Sequence, residues 1–413
     1  MYHGIISAVK AQKNMKIGII KEQKTPPDRR VVLTPNTCKQ LIINYPELQI
    51  KVESSPHRVF SDDEYRQKGI PVTTDLSDCD VLLGVKEVPI EALIPDKKYF
   101  FFSHTIKKQP YNRELLRTIL QKNIQLFDHE TLVDEHSIRL VAFGYYAGLV
   151  GTYNGLRTLG LKLGSFELPK AETLHDANAL KAELQKVNLS PIKILVTGKG
   201  RVGSGIKEIL LAAGIEEKSA KSFLNKSYAN PVFTQIDVTQ YNKRTDGKEA
   251  TKKDFYKNPH KYQSDFLKFA RVADCYIAGH FYGQGAPAFF TLNDIESEAF
   301  KIQVIADISC DIKIPIPTTL RASTIANPIY GVHRLTGEET DFNNPQAIAV
   351  MAVDNLPCEL PRDASEGFSK QFSEKIIPAF FDNDQNSILA RAQMTQNGQL
   401  TPRFQYLSDY AGK

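Results

Sequence analysis

The sequence predicts an α/β protein of two domains, each built on a parallel sheet covered by helices. Three observations carry the prediction. The chain has 413 residues, too many for one ordinary hydrophobic core. In the first third, short β-rich runs alternate regularly with polar, helix-compatible segments. A second alternating unit begins at SPIKILVT, where an apolar strand runs straight into a glycine-rich turn and a helix.

In the first unit MKIGII (15–20), LQIKVES (48–54), DVLLGVK (80–86), KKYFFFSH (97–104) and NIQLFDHE (123–130) read as strands. Each is too short and too rich in β-branched or aromatic residues for a long helix. TPNTCKQLIINYP and SDDEYRQKG open on Thr-Pro and Ser-Asp, which are helix N-terminal signals. From Val141 the composition turns to small and aromatic residues, VAFGYYAGLVGTYNGLRTLG, which suits a closely packed helix connecting to the second domain. A polar helical stretch, LPKAETLHDANALKAELQKVN, follows it. PVFTQIDV, ADCYIAGH and IQVIADIS are the later strands. Glu216 to Asn230 and the lysine-rich TQYNKRTDGKEATKKDF read as surface insertions, the latter without apolar periodicity for a core. The 14 residues before Met15 are expected to be a loosely held extension, or translation to start at Met15. The domain boundaries expected are 15–142 with 354–413, and 143–353.

Composition narrows the function. Apolar residues make up 42% and charged residues 24%, an ordinary globular balance. The formal charge of +5 is dispersed among alternating acids and bases, without a basic tail, so nucleic acid is not an expected partner. No apolar run approaches the roughly 18 residues that span a bilayer, and the N-terminus lacks a long apolar signal core, so no membrane is expected. Cys38, Cys79, Cys275, Cys310 and Cys358 lie far apart with no CxxC pair. Neither a disulfide framework nor a metal site follows, and a cytoplasmic location is expected.

Gly198-Lys199-Gly200-Arg201-Val202-Gly203 forms GxGxxG directly after IKILVT and opens a helix with Ile206, Ile209, Leu210 and Ala213 on one face. In that setting the glycines let backbone N–H groups approach a pyrophosphate. Asp237, closing PVFTQIDV, is the expected partner of the adenosine ribose. It lies 34 residues beyond Gly203, against roughly 20 in the usual unit, and the segment after Gly214 accounts for the excess. An acid there favours NAD. Arg201 and Lys199 beside the turn leave NADP open.

Cations gather at or just after the strand ends of the first unit: Arg30, Lys86, His104, Lys107 and Arg139. A lysine at a strand end is ordinarily a hydrated surface charge, and a histidine after three phenylalanines is equally a satisfied core residue. Carboxyl ends of parallel strands face one crevice, however, and Arg and Lys there suit a small substrate with several carboxylates. A lysine crowded by cations loses proton affinity and becomes a base near neutral pH, where histidine titrates without help.

DRRVVLTP, LLGVKE, FFSH, RLVAFGYYAG and GKGRVGSG, in that order, resemble the alanine dehydrogenase and saccharopine dehydrogenase superfamily. VDNLPCELPRDASEGFS and AFGYYAG resemble its lysine-forming saccharopine dehydrogenases. The resemblance implies two Rossmann-like domains around an active-site crevice, and NAD-linked cleavage of saccharopine to lysine and 2-oxoglutarate. It implies Lys86 and His104 as the acid–base pair, and Arg30, Lys107 and Arg139 as carboxylate ligands. It further implies Asp354 near nicotinamide and substrate, and Glu130 as the acid that tunes the lysine. Gly198, Gly200, Arg201, Val202, Gly203 and Asp237 make up the expected cofactor site. Val202 stands where fungal members carry a cysteine, and GHFYGQGAPAFF departs from the pattern. Alternatives are an alanine or other amino acid dehydrogenase, a lysine–2-oxoglutarate reductase using NADPH, and a non-catalytic nucleotide-binding protein. The oligomeric state is not legible.

Overall fold

A computed structural model describes residues 14–25 and 28–412. The expected extension therefore falls, over residues 1–13, outside the described residues. The chain divides into two compact units, one running to Ala142 and resumed from Ala364, the other Phe143–Asp363. The division falls beyond the Asp354 expected from the sequence.

The first unit holds β1 (Met15–Ile19), α1 (Pro35–Asn44), β2 (Leu48–Glu53), α2 (Asp62–Gln67), β3 (Val72–Thr73), β4 (Val81–Leu83), β5 (Lys98–Phe101), α3 (Arg113–Gln121) and β6 (Gln125–Asp128). The helix starts are those the sequence signals: Thr34 caps α1 with Pro at its first position, and Ser61 and Glu64 make a reciprocal capping box on α2. The six strands pair in parallel in the order β3-β2-β1-β4-β5-β6. The chain reverses direction across the sheet between β1 and β4, and such switch points open a ligand crevice at the carboxyl ends of the strands. Helices cover both faces, and the central β4 is apolar and buried at every position. Tyr99 and Phe101 pack with Leu116 and Ile119 of α3 on one face. Phe100 stacks on Phe127 on the other, ring centroids 4.4 Å apart.

The second unit opens with α4 (Gly144–Leu163), continues through α5 (Ala177–Leu184), β7 (Lys193–Thr197), α6 (Arg201–Ala212), β8 (Glu216–Glu217), α7 (Ala220–Asn225), β9 (Val232–Ile236), α8 (Val238–Tyr241), β10 (Asn242–Arg244), α9 (Lys252–Lys257), β11 (Tyr262–Ser264), α10 (Leu267–Ala270) and β12 (Cys275–Ala278), and ends with α11 (Leu292–Glu296), β13 (Val304–Asp307), β14 (Ile329–His333), β15 (Glu339–Thr340) and β16 (Ala347–Met351). The small residues of α4 are explained by its contact with α6: a Cβ on Gly148 would stand 2.1 Å from Val202 O. Only Ala177–Leu184 of the polar stretch before β7 is α-helical, starting where Asp176 caps Ala179 N at 2.8 Å.

Two sequence expectations are corrected here. Both segments read as surface insertions are folded. The first supplies β8, paired in parallel to β9, and buries Phe223. The second forms an antiparallel β10–β11 hairpin with α9 between its strands. It buries Phe255 and Tyr262 in the same core as Phe266 and Tyr276, so a few aromatics anchor it without helical periodicity. The second sheet, in the order β15-β14-β16-β13-β12-β7-β9-β8, is also not wholly parallel: β14 runs antiparallel to both β15 and β16. The link between β14 and β16, residues 334–346, carries β15 in place of a crossover helix, so the chain returns antiparallel. The β16 run AIAVM is buried at every position, a pattern that does not separate strand from core helix by period alone.

Candidate active site

In the first unit the three residues after β4 are fixed from every side. Gly84 N donates to Phe100 O at 2.9 Å, and Phe102 N donates to Val85 O at 3.0 Å. His129 Nε2 bonds Gly84 O at 2.9 Å, and burial lowers this histidine to about 4, so it is neutral and acts as a donor. The carboxyl of Glu22 accepts from Val85 N at 2.6 Å and Lys86 N at 2.9 Å. Lys86 thus leaves the sheet from a bend whose main chain has no slack, as an acid–base group needs.

Glu22 itself is pushed up to about 8, first by burial and then by the charge of Asp28, against two backbone amides that favour its ionised form. Asp28 faces Arg30 in a buried two-pronged pair, Oδ1 to Nε at 3.0 Å and Oδ2 to Nη2 at 2.6 Å. Burial alone would raise Asp28. Arg30, and then Lys86, hold it far below the usual carboxylate range. The segment carrying Arg30 is pinned by two serines one turn apart on α12 (Pro361–Lys375): Val31 N donates to Ser365 Oγ at 2.9 Å and Thr34 N to Ser369 Oγ at 3.0 Å.

His104 does not end its strand as the sequence suggests. β5 stops at Phe101, and His104 lies three residues on in the left-handed region, φ 54°. Such a backbone is uncommon for a residue with a Cβ and concentrates at functional sites. The imidazole lies between two carboxylates, with Nε2 3.8 Å from Glu87 Oε1 and Nδ1 3.4 Å from Glu130 Oε2. Glu87 Oε1 is buried and makes no hydrogen bond among the described residues, while Oε2 pairs with Lys24 at 3.0 Å. Lys107 Nζ is 3.4 Å from His104 Nδ1 and 3.7 Å from Glu130 Oε1. Arg139 Nη2 reaches the same Oε1 at 3.1 Å. Burial would raise Glu130, but His104, Lys107 and Arg139 hold it at about 2. Asp128 sets both loops, accepting from Ser103 N at 2.9 Å and Glu130 N at 2.7 Å.

Two groups therefore follow the strands of one sheet: Arg30 and Lys86 around Asp28, and His104, Lys107 and Arg139 around Glu130. The arrangement differs from the bare basic pocket the sequence suggests, because Glu22, Asp28, Glu87 and Glu130 interleave the cations. Glu130 follows β6 in a turn, and its partners include His104, Lys107 and Arg139, whereas Asp28 is an acid whose charge reaches Lys86. Lys107 and Arg139 are about half exposed while reaching Glu130. Sequence reasoning passed over Glu22, Asp28 and Glu87. Glu87 adjoins Lys86, and its only signal was that adjacency.

In the second unit Gly198 closes β7 with φ 94°, and a Cβ there would stand 2.3 Å from Gly279 O. Gly200 precedes α6 with no side-chain cap, and a Cβ there would meet nothing within 4 Å. The open space at Gly200, at the start of α6, fits a dinucleotide pyrophosphate. Gln235 Nε2 braces the turn, donating to Gly198 O at 2.8 Å and Gly203 O at 3.0 Å. Asp237 follows β9 next to this turn, but its carboxyl already accepts from Val238 N at 2.7 Å and pairs with Lys252. Asp354 is an exposed residue of the turn after β16, within the second unit, and its charge helps raise Cys310.

Comparisons with known proteins follow the same lines. Residues 18–150 match the family described as "Alanine dehydrogenase/PNT, N-terminal domain". "Alpha-aminoadipic semialdehyde synthase" of Arabidopsis thaliana is 27% identical over 95% of this chain and 41% of its own length. The chain thus spans less than half of that relative, and about half of its mammalian counterparts. "Saccharopine dehydrogenase [NAD(+), L-lysine-forming]" of Neurospora crassa is 27% identical over 89% of this chain and 91% of its own. The solved structure of an L-alanine dehydrogenase superposes with a TM-score of 0.65 over 96% of this chain and 100% of its own, at 17% identity, which speaks to the fold. Fold and glycine turn are of the Rossmann dehydrogenase type, and the relatives matched along the chain are amino acid dehydrogenases by name. Within that class the chain is similar to alanine dehydrogenases over its N-terminal part and to saccharopine dehydrogenases over most of its length. No described helix is long and apolar enough to cross a membrane.

Proposed function

We propose that the chain interconverts saccharopine and water with L-lysine and 2-oxoglutarate, using a nicotinamide dinucleotide held by the second unit. The observation that carries the reading is Lys86 on its fixed bend, following the same sheet as His104 and three cations suited to carboxylates. Saccharopine is a secondary amine with three carboxylates, which matches that supply of cations. The dinucleotide, when bound, supplies the hydride acceptor for the carbon beside the amine. Lys86 Nζ accepts the proton of the secondary amine as that carbon is oxidised to an imine. His104 passes a proton from water as it adds to the imine, then returns one to the departing amine of lysine. Arg30, Lys107 and Arg139 hold the carboxylates, and Glu130 keeps the last two oriented until substrate takes its place. The expectation of NAD rests on Asp237 as ribose acceptor and on the name carried by the fungal relatives. The expectation of a reducing compartment such as the cytoplasm rests on five widely spaced cysteines.

The test is nucleotide reduction with saccharopine and with alanine, each offered with NAD and NADP. Saccharopine is expected to support reduction and alanine not. Turnover of alanine, or none of saccharopine, overturns the proposal.

A further inference from the structure

Parallel strands exchange main-chain hydrogen bonds at every second residue, and the ladder between β4 and β5 keeps that step until the Lys86 bend. Lys98 N donates to Asp80 O and Gly84 N to Phe100 O, so the next donor, Phe102 N, is due at Gly84 O. It goes to Val85 O instead, at 3.0 Å. One extra residue has thus entered the β4 side as a bulge, and bulges re-aim the side chains beside them. The carbonyl that loses its ladder partner is Gly84 O, and the atom that takes it is His129 Nε2, at 2.9 Å.

His129 is suited to that single bond. It is fully buried, and the rings of Phe102, Phe368 and Phe372 surround it with centroids 4.9, 5.1 and 5.8 Å from its own. Its Nδ1 makes no hydrogen bond among the described residues. A neutral imidazole has one N–H, and the carbonyl at Nε2 fixes which nitrogen carries it. Burial lowers the group to about 4, so the imidazole stays uncharged near neutral pH. The turn that carries His129 also serves the other half of the site: His129 N donates to Phe101 O at 3.2 Å, and the next residue, Glu130, brings Oε2 to 3.4 Å from His104 Nδ1. Two adjacent residues therefore hold the main chain behind Lys86 and the carboxylate beside His104.

We propose that His129 is a positioning residue for Lys86: its Nε2–H keeps the bulge formed by taking Gly84 O, and so sets the direction in which the lysine leaves the sheet. The inference rests on the reading of Lys86 as the base, and two readouts keep the failure of one apart from the failure of the other.

Three substitutions differ in whether a donor reaches Gly84 O. Glutamine puts an amide N–H close to the place of Nε2, asparagine ends a bond short of it, and leucine has no donor. Hydrogen exchange of the full chain without substrate, read by mass spectrometry on the peptide covering 82–88, reports the Val85 and Lys86 amides. Saccharopine kinetics report the chemistry. His129→Leu and His129→Asn are expected to exchange about tenfold faster in that peptide, the scale of a lost buried hydrogen bond. Both should lose about tenfold or more in kcat with KM within about twofold, the signature of a misplaced reacting group. His129→Gln should stay within about threefold of the wild type in both readouts. Unchanged exchange or kcat in His129→Asn, a raised KM with kcat kept, or His129→Gln falling as far as His129→Asn overturns the positioning role. Because asparagine and glutamine differ by one methylene, that comparison decides even where His129→Leu fails to fold. If the wild type leaves saccharopine unconverted, the functional reading fails, and exchange in the asparagine and glutamine variants still decides whether His129 holds the bulge.

Discussion

Replacing Glu22 with Gln tests how the Lys86 bend is held. The half-buried carboxyl is raised from 4.5 to about 8, so between those values the folded chain binds a proton that the unfolded chain releases. The sign follows: this group's contribution to stability is full below about pH 4.5, declines as pH rises, and is lost through about 8. The slope has a ceiling of about 1.4 kcal/mol per pH unit for one group. Glutamine has the same shape and does not titrate. It also turns an amide NH2 toward one of the two backbone donors, leaving a buried N–H without an acceptor, at about 1–3 kcal/mol. Urea unfolding followed by far-UV circular dichroism suits a chain with no tryptophan. Glu22→Gln is expected to be the less stable protein at pH 5, with the gap narrowing at pH 6, 7 and 8 as the wild type loses its advantage. Parallel stability curves for the two proteins across that range would refute the reasoning, because the carboxyl would then titrate alike in folded and unfolded chains.

Other substitutions probe the remaining parts. Asp28→Asn strips a buried guanidinium of its ionised partner and should cost about 3–5 kcal/mol in the same unfolding assay. Gly198→Ala adds a Cβ at φ 94° that meets Gly279 O at 2.3 Å. It should lower adenosine monophosphate affinity by about tenfold or more and the melting temperature with it, and a normal titration would show that the turn is softer than drawn. Lys86→Met should cut saccharopine turnover by about 10²-fold or more, the scale of acid–base loss, with cofactor affinity unchanged by calorimetry. Unchanged turnover would remove Lys86 from the chemistry.

The strands and helices that form the sheets were legible because each carries its own local signal. Ser61 and Glu64 announce α2 within four residues, and IKILVT followed by glycines announces β7 and the turn. The β10–β11 block was misread because its stability comes from aromatics that meet partners distant in sequence, Phe255 and Tyr262 against Phe266 and Tyr276. No window within the block shows that periodicity.

The same distinction divides the site. Arg30, Lys86, His104 and Arg139 were legible as cations near strand ends, a pattern visible along the chain. The acids were not, because an acid's role here depends on what folding brings to it. Glu22 looks like any polar residue ending an apolar run until β4 pairs beside β1 and brings Val85 N and Lys86 N onto its oxygens. Glu87 looks like a solvated neighbour of Lys86 until the left-handed turn at His104 sets the imidazole 3.8 Å from it. Their combined effect also reverses the electrostatic argument available from the sequence. A lysine among cations alone is depressed by repulsion, whereas Lys86 shares its surroundings with the ionised Asp28. Asp28 is the acid whose charge reaches Arg30, Lys86 and Glu22 alike, so the surroundings of Lys86 are set by a buried ion pair as well as by the cations the sequence displays.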